Sequence, residues 1–141
     1  MLNRPDVYAL TKIDLEAALA IAGADTVICD VIDDLEGLTA LTLSARFAYG
    51  SGGTSCKAYV QTRFGDVWVD IACFAFTTAA AHKVINLSGL TPKTTAVTPT
   101  DGALTDDTCV DGVLGDALRL KVISTGTYAG STLLDVRAAC R

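Results

Sequence analysis

Along residues 41–49 apolar and polar positions alternate, with Leu41, Leu43, Ala45, Phe47 and Tyr49 on one face and Thr42, Ser44, Arg46 and Ala48 on the other. A period of two is that of a strand with one buried face. Gly50-Ser51-Gly52-Gly53 stops it. Residues 56–62 and 67–76 continue as two strands around Arg63-Phe64-Gly65-Asp66, a tight connection in which Gly adopts positive φ without steric cost. With Phe64-Gly65 as a two-residue loop, Thr62 pairs with Val67, Val60 with Val69, Ala58 with Ile71 and Cys56 with Cys73, all on one inward face. The opposite face then carries Lys57, Tyr59, Gln61 and Arg63 against Trp68, Asp70, Ala72 and Phe74, a mixed surface. Tyr59, Trp68 and Phe74 are its candidate interface anchors.

Outside this region the pattern changes twice. Residues 14–22 are the one helix-like stretch, with Asp14 as cap and Leu15, Ala18, Leu19 and Ala22 on a common stripe. Val27, Ile28, Cys29, Val31 and Ile32 read as a strand before the acidic turn Asp33-Asp34-Leu35-Glu36-Gly37. Residues 83–87 predict a short strand. Residues 91–115, rich in Thr, Pro, Asp and Gly, follow neither period and predict a long ordered loop. Alternation resumes at Leu118, Leu120 and Val122, and Leu134, Val136, Ala138 and Cys140 return as the partner of a second hairpin. At least six strands with short turns and little helix predict an all-β chain: an antiparallel two-layer sandwich, jelly-roll or immunoglobulin-like, over residues 35–141. Residues 1–34 then form a helical or extended arm and the first strand.

The chain has 141 residues, of which 50% are hydrophobic and 19% charged, enough apolar surface for one core and too little charge for wholesale disorder. No apolar run is long enough to cross a bilayer as a helix, so no membrane partner is expected. A net charge of -5 argues against a phosphate-binding surface and hence against nucleic acid as a partner. The amino terminus has no basic patch followed by an apolar run, which predicts synthesis in a cytoplasm.

Catalytic constellations are not evident. His82 is the single imidazole and reads as a solvated structural residue; there is no Gly-x-Ser-x-Gly elbow, phosphate loop or His-Glu-x-x-His motif. Asp30, Asp33, Asp34 and Glu36, and again Asp101, Asp106, Asp107 and Asp111, cluster without EF-hand spacing and read as solvated turns. A glycosidase would need a cleft lined by several aromatics, and there is one Trp. The expectation is a protein that is not an enzyme and needs no cofactor or metal.

Five cysteines are many for an acidic cytoplasmic domain. No two are close enough to form a zinc knuckle, and Cys-x-x-Cys is missing. Cys56 and Cys73 alternate in phase with core positions, so they are either small buried hydrophobes or, in the register above, an intrachain disulfide. Cys109 in the polar loop and Cys140 at a fraying chain end, with Cys29 as a third, are candidates for disulfides between chains.

Leu38-Thr39-Ala40-Leu41-Thr42-Leu43-Ser44-Ala45-Arg46-Phe47-Ala48-Tyr49-Gly50-Ser51-Gly52-Gly53-Thr54 resembles a stretch of small structural proteins of tailed bacteriophages and prophages. The resemblance continues through Ala58-Tyr59-Val60-Gln61-Thr62, Trp68-Val69-Asp70-Ile71-Ala72, Phe74-Ala75-Phe76-Thr77-Thr78 and Ile123-Ser124-Thr125-Gly126-Thr127-Tyr128-Ala129-Gly130-Ser131-Thr132, covering about residues 35–139. It departs at the short turn before Trp68 and at Cys56, Cys109 and Cys140, where the family pattern has Val, Thr or Ala. The resemblance implies a virion component made in the host cytoplasm, whose thiols meet oxidising surroundings after lysis. The expected function is decoration or linkage of capsid, neck or collar subunits, with other virion proteins and further copies of the chain as partners. The alternative is a carbohydrate- or receptor-binding module of a tail appendage, presenting Tyr59, Trp68 and residues 91–115.

Overall fold

The computed structural model describes residues 6–11 and 18–141. Among these residues there is no helix. The strands are β1 (Asp6–Ala9), β2 (Leu19–Ala20), β3 (Asp25–Ile28), β4 (Ala40–Ala48), β5 (Ser51–Gly52), β6 (Ser55–Phe64), β7 (Val67–Phe76), β8 (Ala81–Ser88), β9 (Leu118–Thr125), β10 (Tyr128–Ala129) and β11 (Leu133–Cys140). One sheet has the order β1-β11-β4-β8, with β2 also on β11; the other is β3-β9-β6-β7; β5 and β10 form a small ribbon. All pairings are antiparallel, and the inner faces of the two large sheets share one core, so the chain is the all-β sandwich that its alternation predicts.

That core is built where the period of two is cleanest. Leu41, Leu43, Ala45 and Phe47 of β4 meet Leu134, Val136, Ala138 and Cys140 of β11, while Leu118, Leu120 and Val122 come from β9. At one end Phe47 stacks on Phe76 with ring centroids 4.9 Å apart, and Tyr128 meets Phe47 edge-on at 5.7 Å. The Tyr128 hydroxyl donates to the Thr77 carbonyl, so this aromatic end carries no unpaired phenol.

Three expectations need correction. The helix expected over residues 14–22 begins outside the described residues, and its described end is not helical: Leu19 and Ala20 pair with Leu134 and Leu133. The outward backbone groups of β11 offer a partner that outweighs the weak helical stripe. Second, β9 and β11 are not a hairpin. They lie in different sheets, and residues 126–132 carry the chain from one layer to the other, tied by the β5–β10 ribbon and by Tyr128 N–H donating to the Ala22 carbonyl.

The third correction concerns the β6–β7 hairpin. Its strands are as expected, but the turn is Gly65-Asp66, with Phe64 opposite Val67 and Gly65 at φ 65°. Three pairs further along the ladder Gln61 faces Asp70, and the next pair is Val60 with Ala72, so Ile71 is the extra residue of a β-bulge. Beyond the bulge Ala72, Phe74 and Phe76 turn inward opposite Val60, Ala58 and Cys56. Segments 6–11 and 18–34, expected as an arm and a first strand, supply edge strands to both sheets.

The long loop between β8 and β9 packs along the β7 edge. Asp70 N–H donates to the Thr100 carbonyl, Cys73 N–H to Thr108, and Val110 N–H to Ile71. Gly115 passes so close beneath the hairpin that a Cβ there would collide with the Arg63 carbonyl, and its N–H donates to Thr62 Oγ1 at 2.8 Å.

Candidate functional site

The outer face of the β6–β7–β9 sheet, where the sequence places the interface anchors, is a polar network held by this loop. Asp70, almost fully buried, is its centre: its carboxylate accepts from Thr100 Oγ1 at 2.8 Å, from the N–H groups of Gly102, Ala103 and Leu104, and from Gln61 Nε2 at 2.9 Å. Successive N–H groups aimed at one carboxylate satisfy a loop that has no ladder of its own. Gln61 also donates to Asp101 and accepts from Arg119 Nε at 2.8 Å, and Lys121 pairs with Asp101 at 3.0 Å. These bonds, Gln61 first and Lys121 next, hold the Asp101 carboxyl below its usual range.

Trp68 lies in this network, half-buried. The Arg119 guanidinium sits 4.4 Å and that of Arg63 5.6 Å from its ring centroid. Arg63 is itself anchored by Asp33 at 2.7 Å and by Asp116. Beside the indole, Thr100, Asp101 and Asp66 border an open pocket of about 410 Å³. A sugar would find hydroxyl and carboxylate partners there, but two cations already occupy the indole.

The other two proposed anchors are placed differently. Phe74 is fully buried in the core, because the Ile71 bulge reverses the facing of the residues after it. Tyr59 stays on the outer face, opposite Cys73 and Lys121, yet is only 4% exposed. Burial, with the Cys73 thiol beside it, pushes its phenol pKa up. Trp68 alone of the three keeps partial access.

The cysteines are all free. Cys56 faces Phe76 and Cys73 faces Tyr59, so the two thiols point to opposite sides of the hairpin and the expected register for a disulfide does not occur. Burial pushes Cys56 up to about 12, and Cys29, Cys73 and Cys140 to about 11. Cys140 does not fray: it lies between Asp6 and Leu41 in the sheet and is fully buried. Cys29 is also buried, and only Cys109 is half-exposed, its thiol pKa raised by burial and by Asp111.

One pairing was not visible in the sequence. Ser44 Oγ lies 2.7 Å from His82 Nε2 across the outer face of the first sheet, because β4 and β8 run in register with Arg46 opposite His82. The residues are 38 apart in the chain, and only the strand register joins them. A serine and an imidazole at this distance are two parts of a nucleophilic site. The described residues give His82 no carboxylate partner, and Ser44 lies on a strand paired on both sides, so its own N–H is taken by a ladder. Among the described residues no cluster of three or more His, Cys, Asp or Glu is arranged to hold a metal. Compared with known protein families, curated proteins and solved structures, the chain matches none.

Proposed function

We propose that the chain is a non-enzymatic structural protein of a tailed-bacteriophage virion that decorates or links capsid, neck or collar subunits. The observation that carries this reading is how the surface is divided. Both inner faces are consumed by one core and the loop packs along the β7 edge, while the outer face of the first sheet leaves Val7 of β1 and Val84 of β8 more than half exposed and Leu133 of β11 39% exposed, and among the described residues no strand pairs with the free side of β8. Apolar side chains spread over one sheet face, with an unpaired strand at its border, suit contact with other subunits better than contact with a small substrate. The likeness of residues 38–54 and of the later stretches to small virion proteins supports the same reading. Of the thiols considered for bonds between chains, only Cys109 keeps solvent access, so a covalent tie between subunits runs through it.

The experiment is to place a stop codon early in the gene and to compare particles by electron microscopy and by heat inactivation. Missing or heat-fragile heads or necks are expected. Particles of unchanged form, infectivity and heat resistance would overturn the proposal.

The second reading, a carbohydrate- or receptor-binding module, is favoured by the pocket that brings Trp68 to Thr100 and Asp101. Its cost is that a stacked sugar must displace Arg119 from the indole. Binding of immobilised host polysaccharide that is lost in Trp68→Ala and kept in Val84→Lys would support this reading over linkage.

A further inference from the structure

Among the described residues, the β8 edge is the longest strand edge without a strand partner. On one side β8 pairs with β4 from Ala81 to Ser88, and Gly89 N–H donates to the Thr39 carbonyl. Antiparallel alternation from that bond assigns the backbone groups of Ala81, Lys83, Ile85 and Leu87 to β4 and turns those of His82, Val84, Asn86 and Ser88 outward. The loop closes the last of these: Ser88 N–H donates to Asp111 Oδ1 at 2.6 Å, and its carbonyl accepts from Gly112 N–H at 2.8 Å. Among the described residues, the structure records no hydrogen bond for the backbone groups of His82 and Val84 or for the Asn86 N–H, and the Asn86 carbonyl accepts only from Cys109 Sγ, at 4.0 Å. What remains is a window of three residues centred on Val84, which is 59% exposed. It contains no Pro and no bulge, and its one charge, Lys83, is turned to the β7 side, where its ammonium pairs with Asp107 and donates to the Ala75 carbonyl.

From this window we infer that β8 pairs antiparallel with β8 of a second copy of the chain, about a two-fold axis at Val84. The window is self-complementary. Val84 meets its own equivalent, and His82 meets Asn86 of the other copy twice. Lys83 falls opposite Ile85, so no like charges are opposed. The ends match as well: Asp111 sits at the Ser88 end and Arg46, opposite His82, at the other, so antiparallel docking brings a carboxylate toward a guanidinium on both sides of the axis. The two β1-β11-β4-β8 sheets become one continuous sheet through the dimer. The inference rests on the assembly reading for taking a like chain as the occupant, and it is tested apart from it.

The test is analytical ultracentrifugation of the full chain with two variants. Val84→Pro removes an N–H that β4 does not use and is tolerated at an edge. The wild type should sediment as a dimer and Val84→Pro as a monomer with an unchanged far-ultraviolet spectrum. Val84→Cys places thiols across a pair whose Cα atoms are about 5.5 Å apart, within disulfide reach, and should give a reducible dimer on mild oxidation. If the proline variant fails to fold, the cysteine variant decides. A monomeric wild type at its highest soluble concentration, a dimer that survives Val84→Pro, or a Val84→Cys chain that never crosslinks would each overturn the inference. Chains missing from virions would strike the assembly reading and leave the dimer standing.

Discussion

Ile71 and Thr42 show how far single positions differ in weight. Ile71 is fully buried at the bulge, where it and Ala72 both reach the core, whereas Thr42 points to solvent from β4. Burial of a side chain this large contributes about 1.5 to 3 kcal/mol, and a carboxylate in its place adds an unpaired charge. Ile71→Asp should therefore leave no cooperative unfolding transition, and Thr42→Asp should move the urea midpoint little. The cysteines make a second residue-scale prediction. With four thiols buried and raised to about 11 or 12, an aromatic disulfide reagent at neutral pH should titrate Cys109 alone, slowly, and all five thiols once the chain is unfolded. Rapid reaction of several thiols in the native protein would contradict this burial. Because these folded-state pKa values lie above the unfolded one, the unfolded chain loses thiol protons first. Stability should be intact below the ordinary thiol range and fall as pH rises through it. Alternation alone made Leu41, Val60, Leu120 and Val136 legible as core. It misplaced Phe74, because the run Ile71-Ala72-Cys73-Phe74 is buried throughout and shows no period that could reveal the bulge.

At the level of elements, the loop of residues 89–117 does the work of a missing strand. It closes the β7 edge, and its hold is concentrated on Asp70. Asp70→Ala would remove the acceptor of the Gly102, Ala103 and Leu104 N–H groups, which water can partly replace in this half-exposed loop, and of one Gln61 amide hydrogen, so each lost bond counts about 1 kcal/mol or less. A loss of about 3 kcal/mol is expected in urea unfolding, together with faster amide exchange over residues 100–110. Full stability of the variant would mean that the loop is held elsewhere. The same loop carries carboxylates with lowered pKa: Asp101 through Gln61 and Lys121, and Asp111 through the Ser88 N–H and the Thr91 hydroxyl. A depressed folded-state pKa gives stability that is present above the ordinary carboxylate value of about 4 and is lost as pH falls through the folded values. Trp68 borders the same pocket as Asp101, so its fluorescence should report loosening below about pH 4. Asp101→Asn should flatten that acid response, and identical acid profiles for variant and wild type would refute the link. The strands β4, β6, β7, β8, β9 and β11 were legible from their period. The separation of β9 and β11 into different sheets was not, since a hairpin and a crossing between sheets have the same alternation and differ only in what Tyr128 and the β5–β10 ribbon hold.

For the whole molecule, one core with two unlike outer faces defines what the chain offers to others. The face over β6, β7 and β9 is knitted to its own loop through Asp70, Gln61 and Arg119. The face over β4, β8 and β11 carries exposed Val84 and Leu133 and, among the described residues, ends at a strand edge without a strand partner. A sandwich was legible because burying one side of each amphipathic strand requires a second layer. Which face stayed open was not, because that depends on where a loop without periodicity comes to rest. The central claim, that this is a building block of a virion, is tested most directly by quantitative peptide mass spectrometry of density-banded particles from a host carrying the gene. The account predicts peptides of this chain at a fixed copy number relative to the major capsid protein, retained through repeated banding. Peptides found only in the soluble lysate, with none in the particle band, would contradict it.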